Sequence, residues 1–290
     1  MRNLVDLHVH STASDGTLTP SEVVEHAYEK GLKAIALTDH DTVSGLQEAK
    51  KKAEQINALQ KEQIEVVPGI EISCNYEHTE LHILGYFVEE NEPSFLEALE
   101  TVRSNRTKRN EEILKKCQQN GFAITMEDLY EGNPKTVITR AHFASALQKK
   151  GYVKSKKQAF DKYLSPGGLL YLPKPIVTPK HALDMLAMAH AVPVLAHPFQ
   201  YHLGEQGTLH CIQDLKEMGL KGVEAYHSSN SVYESTKLKE MAVHNGLFVT
   251  GGSDFHGENK PDIEIGCGYG RLSVHESLLE DVRMCKKHFS

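Results

Sequence analysis

Asp6-Leu7-His8-Val9-His10-Ser11-Thr12-Ala13-Ser14-Asp15-Gly16 sets two histidines and two acids within eleven residues near the N-terminus. Leu4, Val5, Leu7 and Val9 form the short apolar run of a buried strand, in which residues two apart point to the same side. His8 and His10 are therefore expected to face one way, as a half-built chelate for a borderline divalent metal, with Asp15 adding a hard oxygen donor just beyond. An HxH pair alone is a weak sign of a metal. It gains weight because the arrangement recurs along the chain.

Pro20-Ser21-Glu22-Val23-Val24 opens a helix with Thr19 as its cap and Gly31 as its stop. Ala34-Ile35-Ala36-Leu37 follows as a buried strand and exits into Thr38-Asp39-His40-Asp41. A helix over residues 44–59 leads to a strand over 64–70 that delivers Glu71. Residues 81–87 form a fourth strand with His82 near its start. Further on, a helix over 179–190 precedes a strand over 192–196 that ends in His197, and a helix over 209–218 precedes a strand over 222–226 that ends in His227. A helix over 233–244 then leads to a strand over 247–250 that runs into Gly251-Gly252-Ser253-Asp254-Phe255-His256, and residues 272–290 read as a final amphipathic helix. Seven strands, most followed by a helix and most with a metal-capable residue at the exit, predict an α/β fold of the βα-barrel (TIM-like) type, whose chemistry collects at strand ends. An open doubly wound sheet is the alternative. Against it, the chain has no GxGxxG or GxxxxGK[ST] loop, and its candidates come from nearly every strand rather than from one switch point.

Length allows one barrel-sized domain, or a core domain carrying a smaller inserted one. Between residues 89 and 171 the strand signals fade and helical patterns take over, at 95–121, 126–129 and 140–149. The expected division is therefore a barrel formed by 1–88 and 172–290, with 89–171 as a mainly α-helical insertion covering the active site. No run approaches the ~18 apolar residues of a membrane span, and Asp6, His8 and His10 interrupt any signal-peptide core, so a cytoplasmic protein is expected. Five dispersed cysteines without a CxxC indicate neither a disulfide framework nor a thiolate zinc site. A net charge of −7 argues against nucleic-acid binding by the whole surface while leaving room for a local basic pocket.

The strand-end candidates are His8, His10, Asp15, His40, Glu71, His82, His197, Asp254 and His256. Nine donors exceed the needs of one ion and suit two or three divalent ions, with Mn²⁺, Fe²⁺ and Zn²⁺ all compatible with a histidine and carboxylate set. In order, DLHVHSTASDG, TDHD, GIEIS, LHILGY, AHP and GSDFH resemble the motif series of the PHP (polymerase and histidinol phosphatase) superfamily. The middle of the chain is similar to the α insertion of stand-alone bacterial members related to nucleoside 3′,5′-bisphosphate phosphatases and a 5′-to-3′ exoribonuclease.

The resemblance implies a distorted seven-stranded barrel with a trinuclear site. One ion would be held by His8, His10, Glu71 and Asp254, a second by Glu71, His82 and His197, and a third by Asp15, His40 and His256. Many relatives carry histidine where this chain has Asp15. The implied activity is metal-dependent hydrolysis of phosphate monoesters of small nucleotides, with a 5′-3′ exoribonuclease on short RNA, a histidinol-phosphatase-like enzyme or an inactive metal-binding scaffold as alternatives. An amidohydrolase-type barrel would call for a ligating lysine at a strand end, and none stands there. His202 and His227 are the candidates for protonating the leaving group. Arg140, His142 and Lys174 are the candidates for binding phosphate, with the Arg140-Ala141-His142 segment resembling one that lies over the site in the stand-alone members. Arg103, Arg106 and Arg109 share a helix face that reads as solvated.

Overall fold

Strand β1 (Val5–Val9) is buried at every position and carries an irregularity that its alternating pattern does not announce. Val5 and Asp6 pair in parallel with Ala34 and Ile35 of β2 (Ala34–Leu37), but the next pair is Val9 with Leu37, so three residues of β1 span two of β2. Such a bulge re-aims side chains. Asp6 stays beside Ile35, while the adjacent Leu7 and His8 both point inward. Leu7 joins the interior cluster of Ala36, Leu84 and Val194, and His8 reaches the interior carboxylates Glu71 and Glu224. His8 and His10 still share a side, with ring centroids 5.2 Å apart. These coordinates are a computed structural model, which describes residues 3–77, 79–130, 136–172 and 177–288.

Between β1 and β2 lies α1 (Pro20–Glu29), started by a reciprocal capping box between Thr19 and Glu22. Helix α2 (Leu46–Leu59) leads to β3 (Glu65–Tyr76), which pairs in parallel with β2. Strand β4 (Thr79–Tyr86) then runs antiparallel to β3, with Glu71 opposite Leu84 and Ser73 opposite His82. It is also antiparallel to β5 (Val192–Leu195), after which β6 (Gly222–His227) and β7 (Phe248–Gly252) return to parallel pairing. The spatial order is the sequence order, β1 to β7. Val9 bridges Phe255 in parallel, and Asp254 N–H donates to His8 O at 2.9 Å, nearly closing the ring. Gly252 is required at this seam, because any Cβ there would strike His8. The result is a distorted seven-stranded βα barrel with one reversed strand. In that strand the beginning, not the end, lies at the mouth, which explains why His82 stands early in β4.

Between β4 and β5 come α3 (Pro93–Gln119), α4 (Met126–Tyr130), α5 (Arg140–Lys149), the short α6 (Lys156–Ala159), a π turn over Phe160–Leu164, and α7 (Pro179–Met188). The 27-residue α3 serves two cores. Phe95, Leu99 and Val102 pack with Ile72, Leu81 and Leu183 on the barrel's outer face, whereas Ile113 and Cys117 pack with Phe143, Leu147 and Leu164 of the helical segment. Each large side chain so buried contributes about 1.5–3 kcal/mol. Helices α8 (Gly204–Met218) and α9 (Val232–His244) cover the later strands, and α10 (Ser277–Lys287) packs Leu279 and Val282 against Val5, Ala34 and Val192. This last helix starts later than its amphipathic pattern suggests, because Val274 and His275 pair alongside β1. Among the described residues, no helix is long and apolar enough to cross a membrane.

Candidate metal centre

Glu71, leaving the middle of β3, is the hub of the barrel mouth. Its Oε1 lies 2.9 Å from His82 Nδ1 and 3.2 Å from His197 Nε2. Its Oε2 lies 3.0 Å from His40 Nδ1, 3.3 Å from His10 Nε2 and 3.4 Å from His8 Nε2. Asp254 Oδ1 faces the same two nitrogens of His10 and His8 at 3.4 and 3.6 Å, and His256 Nδ1 at 3.4 Å. Asp15 Oδ1 lies 3.3 Å from His256 Nε2, and its Oδ2 3.9 Å from His40 Nε2. The nine residues singled out in the sequence thus share one cluster. Their close groupings are His10, Asp15, His40 and His256; His8, His10 and Asp254; His8, Glu71 and His197; and His40, Glu71 and His82. These groups overlap, since His40 is shared between the Asp15 and Glu71 groups and His8 between the Asp254 and Glu71 groups.

The donor set fits several divalent ions. Among the described residues, His8 Nε2, His10 Nε2, His40 Nδ1, Glu71 Oε2, His82 Nδ1 and His197 Nδ1 are buried without a hydrogen-bond partner. Each such atom costs about 1–3 kcal/mol if left unsatisfied, and nitrogen and carboxylate donors converging this closely are relieved by metal coordination. The electrostatics agree. Burial pushes the Glu71 carboxyl up, but His40, His82, His8 and His10 outweigh it and hold it well below the carboxylate range. Burial lowers His40 well below the imidazole range and His197 to about 4. At His10 and His82 burial acts the same way, but the neighbouring carboxylates win: Asp254 and Glu71 raise His10, and Glu71 and Glu80 raise His82, each to about 9.

Several residues that hold this cluster in place escaped the sequence reading. Glu224 is fully buried; its Oε1 accepts from His8 Nδ1–H at 3.0 Å and its Oε2 from His197 N–H at 2.8 Å. Its inward direction follows from period two, since Val223 and Ala225 face outward. Asp39 takes bonds from Ser11 N–H, Ser11 Oγ–H and Ser14 Oγ–H, fixing the loop that carries Asp15. Asp6 receives Ser253 N–H and Gly266 N–H across the barrel seam. Asp41, His197 and Asp254 all have positive φ (50°, 28° and 58°), a region costly for residues with side chains and characteristic of functional sites.

Above the cluster is a cavity of about 290 Å³, whose lining includes Asp15, His40, Glu71, Asp254, Arg106, Arg140, Lys156 and Lys260. Arg140 Nη2 pairs with Glu80 Oε2 at 2.9 Å. Lys260 Nζ pairs with Asp254 Oδ2 at 2.5 Å. The expected solvated arginine face is corrected here: Arg103 is partly exposed and pairs with Glu100, but Arg106 is buried against Asp41, and Arg109 is buried with its Nε–H donating to Leu172 O. The reason is that α3 crosses the mouth, where Arg106 meets the Asp41 carboxylate and Arg109 a backbone carbonyl in place of water. Burial lowers the Arg106 guanidinium to about 10.

Three other expectations change. His202 is exposed, in a left-handed conformation (φ 55°) after the 3₁₀ turn Pro198–Tyr201, among Phe199, Glu205 and Tyr233 and away from the cavity; the tight turn carries its side chain outward. His142 is buried, and its Nδ1 accepts from Thr139 N–H at 3.0 Å, because a residue at the third position of a helix folds back onto the cap. His227 is buried with Nε2 3.5 Å from Asp254 Oδ2, and it backs that carboxylate rather than lining the cavity. Lys174 lies outside the described residues.

Comparison with known proteins agrees with this architecture. A family model described as the PHP domain matches residues 6–169. A 5′-3′ exoribonuclease of Haemophilus influenzae is 31% identical over 97% of both chains. A 3′,5′-nucleoside bisphosphate phosphatase of Chromobacterium violaceum is 31% identical over 90% of both. Among solved structures, a protein of Bifidobacterium adolescentis described as a proposed metal-dependent phosphoesterase aligns with a TM-score of 0.84 at 28% identity, over 97% of this chain and 96% of that one.

Proposed function

The chain belongs to the PHP domain family, and on that premise we propose that it is a metal-dependent phosphoesterase that hydrolyses phosphate monoesters of small nucleotides, of the nucleoside 3′,5′-bisphosphate or 5′-mononucleotide type. The observation that carries this reading is the meeting of two features in one cavity: a floor of unpartnered nitrogen and carboxylate donors and walls bearing Arg106, Arg140 and Lys260. A cluster of donors alone would bind metal. Cations above it add a place for phosphate.

His8, His10, Asp15, His40, Glu71, His82, His197, Asp254 and His256 would hold two or three divalent ions, Mn²⁺, Fe²⁺ or Zn²⁺. Such ions, when bound, acidify water toward hydroxide and offset charge on phosphoryl oxygens. The chain's own groups do the rest. Arg140, whose Nη2 is held by Glu80, presents its remaining N–H groups to phosphate. Lys260 Nζ, held by Asp254, offers a further N–H donor to substrate oxygens in the cavity. Residues 89–171 act as a helical insertion that places Arg106 and Arg140 over the mouth and limits access of water.

A cavity of about 290 Å³ is at the small end of ligand sites, which favours a small phosphorylated molecule. Exoribonuclease action is the second reading, favoured by the Haemophilus relative; there the terminal nucleotide of a short RNA would occupy the same cavity. Phosphate or nucleotide release with Mn²⁺ from adenosine 3′,5′-bisphosphate, AMP, histidinol phosphate and a 5′-phosphorylated trinucleotide separates the readings. Turnover of the bisphosphate or AMP supports the proposal, turnover of the trinucleotide alone moves the chain to the second reading, and inactivity on all four refutes both.

A further inference from the structure

We propose that Thr139 is a positioning residue through which metal occupancy at the Asp15 group fixes the helix terminus that presents Arg140. The proposal rests on the metal-centre reading above and extends it to a coupling between the barrel and its helical segment.

Thr139 is buried and caps α5. Its Oγ1 accepts from Ala141 N–H at 3.1 Å and donates to Asp15 Oδ2 at 3.0 Å, so one hydroxyl joins the helix cap to a carboxylate of the cluster. That bond leaves Asp15 Oδ1 on the side of His256 Nε2, 3.3 Å away, in the group completed by His10 and His40. Carboxylates that bind metals are commonly oriented in this way by a hydrogen bond to the other oxygen.

The neighbouring contacts make the joint stiff. Thr136 Oγ1 lies 2.7 Å from both Thr12 O and Ser14 O, and Val137 N–H donates to Ala13 O at 3.0 Å, so the approach to α5 is laid along the loop that carries Asp15. Arg140 follows immediately. On its other side a polar chain runs from Arg140 to Glu80 Oε2, from Glu80 Oε1 to His82 Nε2 at 3.2 Å, and from His82 Nδ1 to Glu71. The phosphate clamp is thus tied to the cluster at two points, one through Asp15 and one through Glu71. Coupling of this kind is reciprocal: a change that loosens the helix terminus weakens ion binding, and ion binding orders the terminus.

The test compares wild type, Thr139→Val, which keeps the bulk and removes the hydroxyl, and Thr139→Ser, which keeps the hydroxyl. Mn²⁺ binding is measured by equilibrium dialysis, and amide hydrogen exchange over residues 136–145 is measured with and without Mn²⁺. In wild type, Mn²⁺ is expected to slow exchange in that segment. In Thr139→Val one class of Mn²⁺ sites is expected to lose 10–100-fold in affinity and the Mn²⁺-dependent protection to vanish, with Thr139→Ser restoring both. A role confined to capping α5 would instead raise exchange equally with and without Mn²⁺. Unchanged Mn²⁺ affinity and Mn²⁺-dependent protection in Thr139→Val overturn the proposal. Should that variant fail to fold, absence of any Mn²⁺-dependent protection over 136–145 in wild type overturns it equally. A wild type that takes up no Mn²⁺ ends the metal-centre reading as well, whereas normal uptake without coupling ends only this one.

Discussion

Replacing Glu224 by glutamine removes one charge and almost no volume, at a residue that touches two strand-end histidines but is not itself among the close donor groups. The carboxylate accepts two bonds, from His8 Nδ1–H and from His197 N–H. A glutamine can accept only one of them through its single oxygen, so its NH₂ must face the other. If the NH₂ meets His8 Nδ1, the ring proton is driven to Nε2, the atom that lies 3.4 Å from Glu71 and 3.6 Å from Asp254, and His8 can no longer offer that nitrogen to a metal. If the NH₂ meets His197 N–H instead, a buried charge-assisted bond worth about 1.5–3 kcal/mol is lost. Both routes lead to a penalty of a few kcal/mol at most, in line with the 10–100-fold losses typical of groups that orient metal ligands. Activity measured against Mn²⁺ concentration is therefore expected to shift 10–100-fold toward higher Mn²⁺ in Glu224→Gln, with its plateau close to wild type. A collapsed plateau with unshifted Mn²⁺ dependence would refute the reasoning, since Glu224 would then be acting on the reaction itself.

Arg106→Met leaves the fully buried Asp41 carboxylate, which also holds Ser73 N–H, without its cation; the expected loss is about 3–5 kcal/mol and a fall in Tm on the order of 10 °C, and a change under about 2 °C in a thermal melt would contradict a buried pair. In protein stripped by a chelator, His10 and His82, raised to about 9 by the carboxylates around them, contribute stability that is complete below pH ~6.5 and lost as pH rises toward 9. Tm with EDTA should therefore fall across that window, while Mn²⁺ affinity rises as those protons become easier to displace; parallel Tm curves with EDTA and with Mn²⁺ would argue against ion binding at these rings. His202→Gly should leave kcat/KM within about twofold and stability unchanged or raised by up to ~1 kcal/mol, because its exposed left-handed backbone suits glycine. A tenfold activity loss would return His202 to the reaction.

What the sequence made legible was whatever depends on local period. Apolar runs ending in His, Asp or Glu marked the strand exits, and alternation placed His8 beside His10. The same alternation points Glu224 inward, between the outward Val223 and Ala225. The reversed direction of β4 was also within reach: from Glu71 to Leu81 the chain has no helical pattern and only a short polar turn, whereas a parallel return needs a dozen or more residues and usually a helix. The bulge in β1 left no such mark, because Val5, Leu7 and Val9 read as a regular strand. Nor could a row of arginines announce its own burial. Charge on a helix face reads as solvated until a second surface of opposite charge is known to lie against it, and the carboxylates of the mouth come from residues far away in sequence.

The reversed strand has a consequence for the centre itself. In an antiparallel pair, residues diagonal to one another on the same face stay within reach of long side chains. Glu71 pairs with Leu84 and Ser73 with His82, so Glu71 and His82 are diagonal neighbours facing inward, and His82 Nδ1 meets Glu71 Oε1 at 2.9 Å. A parallel β4 would have presented its exit residues at the mouth and carried position 82 toward the barrel's floor, where α10 packs. Reversal lets one carboxylate take His82 from the hairpin on one oxygen and His8, His10 and His40 from the first two strands on the other. Glu71 thereby faces histidines on both of its oxygens, and the register of the β3–β4 pair sets that placement.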